Sequence, residues 1–155
     1  MPSLPAQRQL TVLLVEDNVG DVRLVREAFR EGRMRHRLDV VGDGEEALAY
    51  LRRVEAYAEA PQPDLILLDL NVPRKNGHEV LREVKEDPTL RRIPVVVFSS
   101  SDAERDVARC YDLHANCCIQ KPGGLEEFIA ILQAIDTFWL RTVRMPGRSR
   151  YVRGG

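Results

Sequence analysis

The chain has 155 residues, of which 44% are hydrophobic and 30% are charged. This length fits one ordinary domain with its own core, and the composition is that of a soluble globular protein. No apolar run approaches the ~20 residues that a membrane-spanning helix needs, and no signal peptide begins the chain. We therefore expect a cytoplasmic protein with no membrane partner.

The charged residues are spread unevenly, although the formal net charge is only -1. From Arg141 onward the chain contains five arginines and no acid. Basic chain ends are usually solvated, so we predict a disordered tail at 144–155 that binds no nucleic acid. Two prolines and little hydrophobic pattern predict a flexible leader at 1–8, which leaves 9–143 for the folded domain.

The three cysteines are Cys110, Cys117 and Cys118, and their spacing matches neither a zinc site nor a Cys-x-x-Cys redox pair. Neighbouring residues of a strand point to opposite faces of its sheet, so Cys117 and Cys118 are expected on opposite faces. We predict reduced thiols in the core that bind no metal.

The start of the chain changes from a strand pattern to a helix pattern. Residues 10–15 are β-branched and aliphatic, which predicts a buried strand that ends at Glu16 and Asp17. We expect the following helix to begin with Asp21 as its cap and to end near Gly32.

A short second strand is predicted at 38–41, followed by a turn at 42–44 that contains two glycines. The next segment has the apolar spacing of a helix, and two prolines at 61–63 then force an extended connection. The inner face of this helix is predicted to carry Ala47, Leu48, Leu51, Val54 and Tyr57.

An unbroken apolar run covers 65–68 and is followed at once by Asp69. Such a run predicts a strand buried on both faces, as in a parallel sheet. Asp69 would then lie at the carboxyl end of the strand, where parallel sheets place ligands and chemistry. Taken alone, Asp69 could equally be a residue that simply ends a strand.

The same alternation continues in the second half. A short helix stops before Pro88, and the apolar run at 93–98 predicts a doubly buried strand that ends at Ser99. Residues 99–102 are expected to cap the next helix. The apolar side of that helix is predicted to carry Val107, Cys110 and Tyr111.

A fifth strand at 116–119 and a final helix over 124–142 complete an alternation of five strands with five helices. Parallel strands joined by right-handed helical crossovers are the usual result of this order. The sequence therefore predicts an α/β domain with a doubly wound parallel sheet.

Polar side chains follow four of the predicted strands. Glu16 and Asp17 follow the first strand, Asp69 ends the third, Ser99 the fourth, and Lys121 follows the fifth. The carboxyl ends of parallel strands meet at one edge of a sheet, so these side chains are expected to converge. A complementary set at four strand ends favours a functional site over chance.

The chemistry of this set points to phosphoryl transfer. Crowded carboxylates repel one another, and Mg²⁺, which prefers carboxylate oxygens and waters, removes that cost. Asp69 could then act as a nucleophile toward phosphorus and form an aspartyl phosphate. Lys121 and the Ser99 hydroxyl would each stabilise an oxygen of the transferred group.

Taken together, the chain resembles the receiver domains of bacterial two-component response regulators, of the chemotaxis-regulator type, over roughly residues 8–143. The motifs that carry the resemblance are the acidic pair after the first strand, Leu-Leu-Asp-Leu-Asn-Val-Pro around Asp69, Gly77, Ser99 and the Lys121-Pro122 pair. The resemblance implies the flavodoxin-like receiver fold, with strand order 2-1-3-4-5.

The resemblance also implies a function and a set of roles. Asp69 would accept a phosphoryl group from a histidine kinase, and the chain would be a switch rather than an enzyme, with at most slow self-dephosphorylation. The output would be a changed surface that biases dimerisation or binding to a downstream protein. Under this resemblance Mg²⁺ is bound by Asp17, Asp69 and the backbone carbonyl of Asn71, with Glu16 acting through water, while Ser99 and Lys121 hold phosphoryl oxygens.

A narrower resemblance involves the segments 56–63, 112–117 and 135–140, which look like those of single-domain response regulators of cyanobacterial and bacterial phytochromes. Such proteins receive phosphate from a light-sensing kinase and tend to dimerise through their fourth and fifth helices. The last helix here is more apolar than one covered face requires, which favours self-association. The dimer-surface candidates are Tyr111, Phe138 and Trp139.

The chain departs from the family pattern at Cys118, three residues before Lys121, where an aromatic switch residue is usual. A thiol is smaller and cannot rotate between exposed and buried positions as a ring does, so the coupling from Ser99 is expected to be weaker or to take another route. Glu16 replaces the more common Asp of the first acidic position.

Other functions on a similar sheet remain as alternatives. An aspartyl-phosphate phosphatase of the dehalogenase type would need an acid two residues after the nucleophile, where this chain has Asn71. A flavodoxin-like cofactor binder would need a phosphate-binding loop rich in Ser, Thr and Gly, where this chain has residues 16–18, Glu-Asp-Asn. An interaction module that is never phosphorylated is the third alternative.

Overall fold

The computed structural model describes residues 9–100 and 103–142, and within these ranges five parallel strands form one sheet flanked by helices. The strand order is β2-β1-β3-β4-β5, so the predicted doubly wound architecture and its strand order are confirmed. The strands are β1 (Thr11–Val15), β2 (Arg37–Val41), β3 (Leu65–Asp69), β4 (Val95–Ser99) and β5 (Cys117–Gln120). The helices are α1 (Val19–Glu31), α2 (Gly44–Arg52), α3 (Gly77–Glu86), α4 (Glu104–Asp112) and α5 (Leu125–Ile135), with a 3₁₀ turn at Glu55–Tyr57 and a π-helical segment at Asp136–Thr142.

Helices cover both faces of the sheet, and the central strands are apolar on both sides for that reason. Every residue of β1, β3 and β4 is buried. Leu13 and Ile66 pack with α2 and α3 on one face, while Leu14 and Leu67 pack with α1 and α5 on the other. Truncating a leucine at such a position to alanine typically costs about 2–5 kcal/mol.

The cysteines lie as the sequence indicated. Cys117 and Cys118 are half-buried on opposite faces of the edge strand β5, and Cys110 of α4 is buried in the same core layer as Cys118. All of them are free thiols. The chain therefore places two sulfur atoms in one core layer and the third in the other.

Helix α1 begins at Val19, and its cap is Asn18 rather than the predicted Asp21. The Asn18 side chain, on an extended backbone, accepts a hydrogen bond from the Asp21 backbone N–H at 2.9 Å. The prediction was wrong because Asn and Asp cap helices about equally well, and Asn18, which comes first in the chain, caps α1. The helix ends at Gly32 as expected. Asp21 lies in the first turn of α1, and its carboxylate does not cap the helix.

Helix α2 is shorter than its apolar pattern suggested. It ends at Arg52, because Arg53 adopts a left-handed conformation with a φ of 57°. Val54, predicted on the inner face, is 44% exposed. Tyr57 does reach the core, from the following 3₁₀ turn, and its ring lies 5.5 Å from that of Tyr50.

The start of α4 also differs from the prediction. The helix is preceded by Ala103, which provides no side-chain cap, so neither Ser99 nor Ser100 caps it; residues 101 and 102 lie outside the described part. Tyr111, predicted on the apolar side, is 48% exposed, whereas Cys110 is fully buried.

The final helix covers the predicted range but changes its geometry. After α5 the chain continues as the π-helical segment, whose first residue is Asp136. Asp136 is bonded at 2.7 Å to His36, and both side chains are buried. The predicted leader at 1–8 and tail at 144–155 lie outside the described residues. In the part of the chain that is described, no helix is long and apolar enough to cross a bilayer.

Gly77 fixes the loop that follows Asp69. Its backbone N–H donates to the Leu70 carbonyl at 3.0 Å, which holds the start of α3 against the end of β3. A Cβ at this position would lie 2.5 Å from the Leu70 Cα and 2.6 Å from the Asp69 carbonyl oxygen. Only glycine therefore allows this approach without moving the backbone that carries Asp69.

We predict that Gly77→Ala lowers the free energy of unfolding by about 1–3 kcal/mol, the usual cost of forcing an atom into a packed site. Urea unfolding followed by circular dichroism measures it. Gly123→Ala is the matched control, because its Cβ would meet nothing within 4 Å, and it should change stability little. Equal effects of the two substitutions would contradict the role given to Gly77.

Candidate functional site

The carboxyl ends of β1, β3 and β5 bring the predicted site residues together. Glu16 directly follows β1, Asp69 is the last residue of β3, and Lys121 directly follows β5. The Lys121 backbone N–H donates to the Ser99 carbonyl at 2.8 Å, so the end of β5 is fixed beside the end of β4. The convergence expected from strand topology is therefore present in the folded chain.

Lys121 lies at the centre of the site. Its Nζ is 2.6 Å from Glu16 Oε1, 3.2 Å from Asp69 Oδ2 and 2.7 Å from Asp21 Oδ2. An ammonium group has three protons to donate, so these carboxylates can engage all of them. Burial alone would lower the pKa of Lys121, but hydrogen bonds from its ammonium to Asp21 and Glu16 and the charge of Asp69 raise it above its ordinary value.

Glu16 and Asp69 are both buried, and their closeness has an electrostatic cost. Burial, followed by hydrogen bonding and repulsion from Asp69, raises the pKa of Glu16 to about 7, against the opposing effect of Lys121. Lys121 therefore does not offset the combined effect of burial and Asp69 on the pKa of Glu16. A further cation at this edge would stabilise the ionised form of Glu16.

The residues present fit a divalent metal ion. One carboxylate oxygen from each of Glu16, Asp17 and Asp69 lies within 4.8 Å of the others, and Asp17 is exposed. Oxygen donors on an open edge suit Mg²⁺, which binds few carboxylates and keeps several waters. Burial and the neighbouring Asp69 raise the pKa of Glu16, and a bound cation would favour its ionised form. The roles of single ligands remain predictions.

The other two predicted site residues flank this centre. Asn71 follows β3, and its backbone N–H donates to Asp69 Oδ1 at 3.1 Å, which orients the carboxylate. Ser99 is 1% exposed at the end of β4, one residue beyond Phe98, which is paired with Asp69 in the sheet. Their contacts with a metal or a phosphoryl group stay predictions.

Asp21 is the residue that the sequence analysis missed as part of the site. Its spacing suggested a helix cap, yet its carboxylate bonds to Lys121 across 100 positions of sequence. The sequence contained one weak indication of this role: Asp21 is the acid in the first turn of α1, close in sequence to the acidic pair that follows β1. The choice between a cap and an ion pair depends on where α1 begins.

Cys118 occupies the position where the family usually has an aromatic switch residue. Its side chain packs against the core layer below α4, and its backbone N–H donates to the hydroxyl of Tyr111 at 3.2 Å. An aromatic side chain is thus present near this position after all, although it is contributed by α4. The prediction that Cys118 changes the coupling route is untested by this geometry.

The dimer-surface candidates differ in exposure. Tyr111 and Phe138 are exposed at 48% and 55%, whereas Trp139 is half-buried and packs against the core layer beside α5. The rings of Phe138 and Trp139 meet edge to face with their centroids 5.6 Å apart. Tyr111 and Phe138 therefore expose apolar surface, and the ring of Trp139 packs against the ring of Phe138.

A five-stranded parallel sheet with acids, a buried hydroxyl and a lysine at its carboxyl edge defines a receiver domain, and comparison with known proteins agrees. The family described as the response regulator receiver domain matches residues 12–133. The chain belongs to this family. Its members act as switches, and the relationship implies a histidine kinase as partner.

The relatives also confirm the narrower resemblance. The response regulator Rcp1 of Synechocystis sp. is 46% identical over 135 residues, which cover 87% of this chain and 92% of Rcp1. The crystal structure of the phosphorylated cyanobacterial phytochrome response regulator RcpA matches with a TM-score of 0.85 and 50% identity, over 90% of this chain and 100% of that chain. This chain is therefore closely related to phytochrome response regulators.

A third comparison concerns the metal. The crystal structure of the Mn²⁺-bound form of Rcp1 matches with a TM-score of 0.82 and 45% identity, over 89% of this chain and 99% of that chain. A receiver domain this similar holds a divalent cation, and the acidic cluster of Glu16, Asp17 and Asp69 fits such an ion here.

We predict that Mg²⁺ stabilises the folded protein through this cluster. At tenfold excess over its Kd, the ion should raise the free energy of unfolding by about 1.4 kcal/mol, as mass action requires. Asp17→Asn should remove most of this increment, because it takes away an exposed ligand. Unfolding in urea with and without Mg²⁺ measures both.

The control for this measurement is Asp112→Asn, which removes one negative charge from the exposed end of α4. It should retain the full Mg²⁺ increment. If Asp17→Asn and Asp112→Asn responded alike, the ion would be acting on overall charge rather than at the cluster.

Proposed function

We propose that this protein is a response regulator that accepts a phosphoryl group on Asp69 from a histidine kinase, in a reaction that needs Mg²⁺. The observation that carries the proposal is the ion pair between Asp69 and Lys121, at 3.2 Å, beside the acids Glu16 and Asp17 that follow β1. This ion pair places the nucleophile Asp69 and the ammonium of Lys121 next to the carboxylates that could bind a metal ion. In this role the domain acts as a single-domain switch.

The reaction would proceed by in-line displacement at phosphorus. An Asp69 carboxylate oxygen forms the new bond to phosphorus while the bond to the kinase histidine nitrogen breaks, and the imidazole leaves. The backbone N–H of Asn71 holds the other Asp69 oxygen, so the carboxylate is oriented before the reaction. The carboxylate side chain therefore needs little rearrangement.

Mg²⁺, held by Asp17, Asp69 and the Asn71 carbonyl with Glu16 acting through water, would supply charge neutralisation and a fixed oxygen position when bound. Lys121 would bind a second phosphoryl oxygen, as a compact ammonium suits. The Ser99 hydroxyl would donate to a third. The metal ligands are those that the resemblance to receiver domains implies, and the roles of Lys121 and Ser99 are supported by their places beside Asp69 at the carboxyl edge of the sheet.

Phosphorylation requires Lys121 to change its partners. Its ammonium bonds to Glu16, Asp21 and Asp69, so an added phosphoryl oxygen must replace at least one of these contacts. Asp21 is the partner outside the acidic metal cluster and would be released most easily. A phosphoryl group carries roughly -1.5 to -2 charge units and replaces the single negative charge of the Asp69 carboxylate, so the site gains about -0.5 to -1 charge units, which favours this exchange.

The output would be a changed surface on α4, β5 and α5. Ser99 ends β4, Lys121 follows the neighbouring strand β5, and the Tyr111 hydroxyl of α4 accepts a hydrogen bond from the backbone of β5. A shift of the strand ends toward the phosphoryl group would therefore change the position of Tyr111, through its hydrogen bond to the backbone of Cys118. Such a local change can bias self-association or binding to a downstream protein.

The proposed kinase is a bacterial phytochrome. The support is the 50% identity to RcpA, a cyanobacterial phytochrome response regulator, together with the 46% identity to Rcp1. A phosphatase of the dehalogenase type is disfavoured, since Asn71 cannot supply the acid that protonates a leaving group. We expect at most slow self-dephosphorylation.

If Asp69 is the phosphoacceptor, Asp69→Asn should abolish covalent labelling by radioactive acetyl phosphate in the presence of Mg²⁺. The amide cannot form the aspartyl phosphate, so the loss should be complete. Asp112→Asn, an exposed acid on α4, should be labelled as the parent protein is. Labelling of Asp69→Asn would overturn the assignment of the acceptor.

The role of Lys121 can be tested with Lys121→Gln, which keeps a polar side chain but removes the positive charge. The labelling rate should fall on the order of 100-fold, the usual effect of losing one group that stabilises transition-state charge. Stability in Mg²⁺ should be less affected than the rate, because the metal ligands remain. An unchanged rate would show that Lys121 serves folding alone.

We further propose that Phe138 contributes to a homodimer. Phe138→Glu should lower the molar mass measured by light scattering toward that of one 17.6 kDa chain. Val54→Glu is the matched control, because Val54 is also exposed but follows α2. If the parent protein were already monomeric at all concentrations and phosphorylation states, the dimer proposal would fail.

A further inference from the structure

The outer edge of the sheet at β2 borders an open groove. β2 is the first strand in the order β2-β1-β3-β4-β5, so it has a neighbouring strand on one side only. The groove on its other side has a volume of about 420 Å³ and is lined by Leu38, Asp39 and Val40 of the strand. Ligand sites typically measure roughly 300–1,000 Å³, so the space at this edge is large enough for an occupant.

The backbone of β2 directs unpaired hydrogen-bonding groups into this groove. The Arg37 N–H donates to the Leu10 carbonyl at 2.8 Å, so Arg37 faces β1. Backbone groups of successive residues in a strand point to opposite sides, so those of Leu38 and Val40 point away from β1. Within residues 9–100 and 103–142, the N–H and carbonyl groups of Leu38 and Val40 form no hydrogen bond. Two donors and two acceptors are therefore available.

The two edges of the sheet differ in this respect. Unpaired groups at a sheet edge are a template for a further strand, and proteins usually cover or block them. At the β5 edge, the Cys118 N–H is bonded to the Tyr111 hydroxyl at 3.2 Å. In the described part of the chain, Leu38 and Val40 have no comparable cover. The β2 edge is therefore the better site for strand addition.

The wall of the groove on the α1 side is basic. Arg26 lines it and makes no ion pair with any residue that the structure describes. Arg23 and Arg30 are three and four residues away on α1, so they lie on the same face of the helix. Arg30 is paired with Glu27, but Arg26 keeps an uncompensated positive charge. This wall would attract an acidic side chain.

The wall on the opposite side of the groove favours apolar side chains. Tyr57 lines it, and its ring lies 5.5 Å from that of Tyr50. Glu59 adds a negative charge that would repel an acid on this side. The charge of Asp39 is already compensated, because Arg37 Nε donates to it at 2.9 Å and the Tyr50 hydroxyl also donates to it. The two walls therefore select different residue types.

We propose that the edge of β2 binds an extended, acidic peptide segment of a partner protein, which adds to the sheet as a further strand. The N–H and carbonyl groups of Leu38 and Val40 would form its backbone hydrogen bonds. Alternate side chains of a strand point to opposite faces, so acids at every second position would meet Arg26 while apolar residues between them meet Tyr57. Main-chain bonds would supply affinity and alternate side chains specificity.

The probe is a fluorescently labelled hexapeptide in which glutamate and valine alternate, and its binding to the full chain is measured by fluorescence anisotropy. Saturable binding with a Kd of about 1 mM or less is expected. A peptide with lysine in place of each glutamate should bind at least about tenfold more weakly, because its charges face Arg26. Equal binding of the two peptides, or no saturable binding of the acidic one, would overturn the proposal.

Methylated peptides distinguish strand addition from binding through side chains alone. One peptide carries N-methyl groups on its valines and the other on its glutamates. A parallel added strand would bond to β2 through the backbone of its valines, and an antiparallel one through that of its glutamates. Methylation of one set should therefore abolish binding, while methylation of the other set should leave it intact. Strand addition is wrong if both methylated peptides bind or if neither does.

Arg26→Glu tests the basic wall. Its affinity for the acidic peptide should fall about tenfold, the usual effect of losing one charge-assisted hydrogen bond, and its affinity for the lysine peptide should rise. Arg82→Glu makes the same charge change on an exposed position of α3 and should bind both peptides as the parent does. Equal losses in the two variants would assign the effect to overall charge and contradict the proposed site.

Amide hydrogen exchange measured by nuclear magnetic resonance locates the contact. The amides of Leu38 and Val40 should exchange rapidly in the protein alone and slowly with the acidic peptide, whereas that of Arg37, bonded to Leu10, should change little. Slow exchange of Leu38 and Val40 without peptide would mean that another part of this chain or a second copy occupies the edge, which would overturn the proposal. Asp69→Asn should bind the peptide as the parent does, so this proposal and the proposed function fail separately.

Discussion

The ion pairs of Lys121 are the interaction on which the site depends. Buried carboxylates at the end of β1 and β3 would repel one another strongly in the absence of a cation. The ammonium at the end of β5 lies within hydrogen-bond distance of Glu16, Asp21 and Asp69 and joins elements that are distant in sequence. Burial and the neighbouring Asp69 carboxylate still raise the pKa of Glu16 against the opposing effect of Lys121. A metal ion at this edge would favour the ionised form of Glu16, and the carboxylates of Glu16, Asp17 and Asp69 offer it oxygen ligands.

The fold and the position of the site could be predicted because they depend on strong, local signals. The interiors of β1, β3 and β4 are apolar, with polar residues only at their ends, and such strands require helices on both faces. Once the strands are parallel, topology alone places Glu16, Asp69 and Lys121 at one edge. The narrower relationship to phytochrome regulators could be read from three short segments, and the similarity to RcpA confirms it.

What could not be predicted depends on competition between similar local choices. Asn18 and Asp21 are both good caps, and only the folded chain shows that the first caps α1 while the second binds Lys121. The apolar spacing of Val54 continues a helix that Arg53 ends with a left-handed conformation. The bond between Tyr111 and the backbone of Cys118 joins a helix to a strand, and periodicity carries no information about such contacts.

The most direct test of the central claim is a crystal structure of the protein with Mg²⁺ and beryllofluoride, which mimics an aspartyl phosphate. Beryllium should be bonded to Asp69, with Mg²⁺ on Asp17 and Asp69, and the Lys121 ammonium should have left Asp21 for a fluorine atom. The Ser99 hydroxyl should contact another fluorine. If beryllofluoride bound at another carboxylate, or if Lys121 kept its contacts with Asp21 and Glu16 while the fluorines faced solvent, the account of the site would be contradicted.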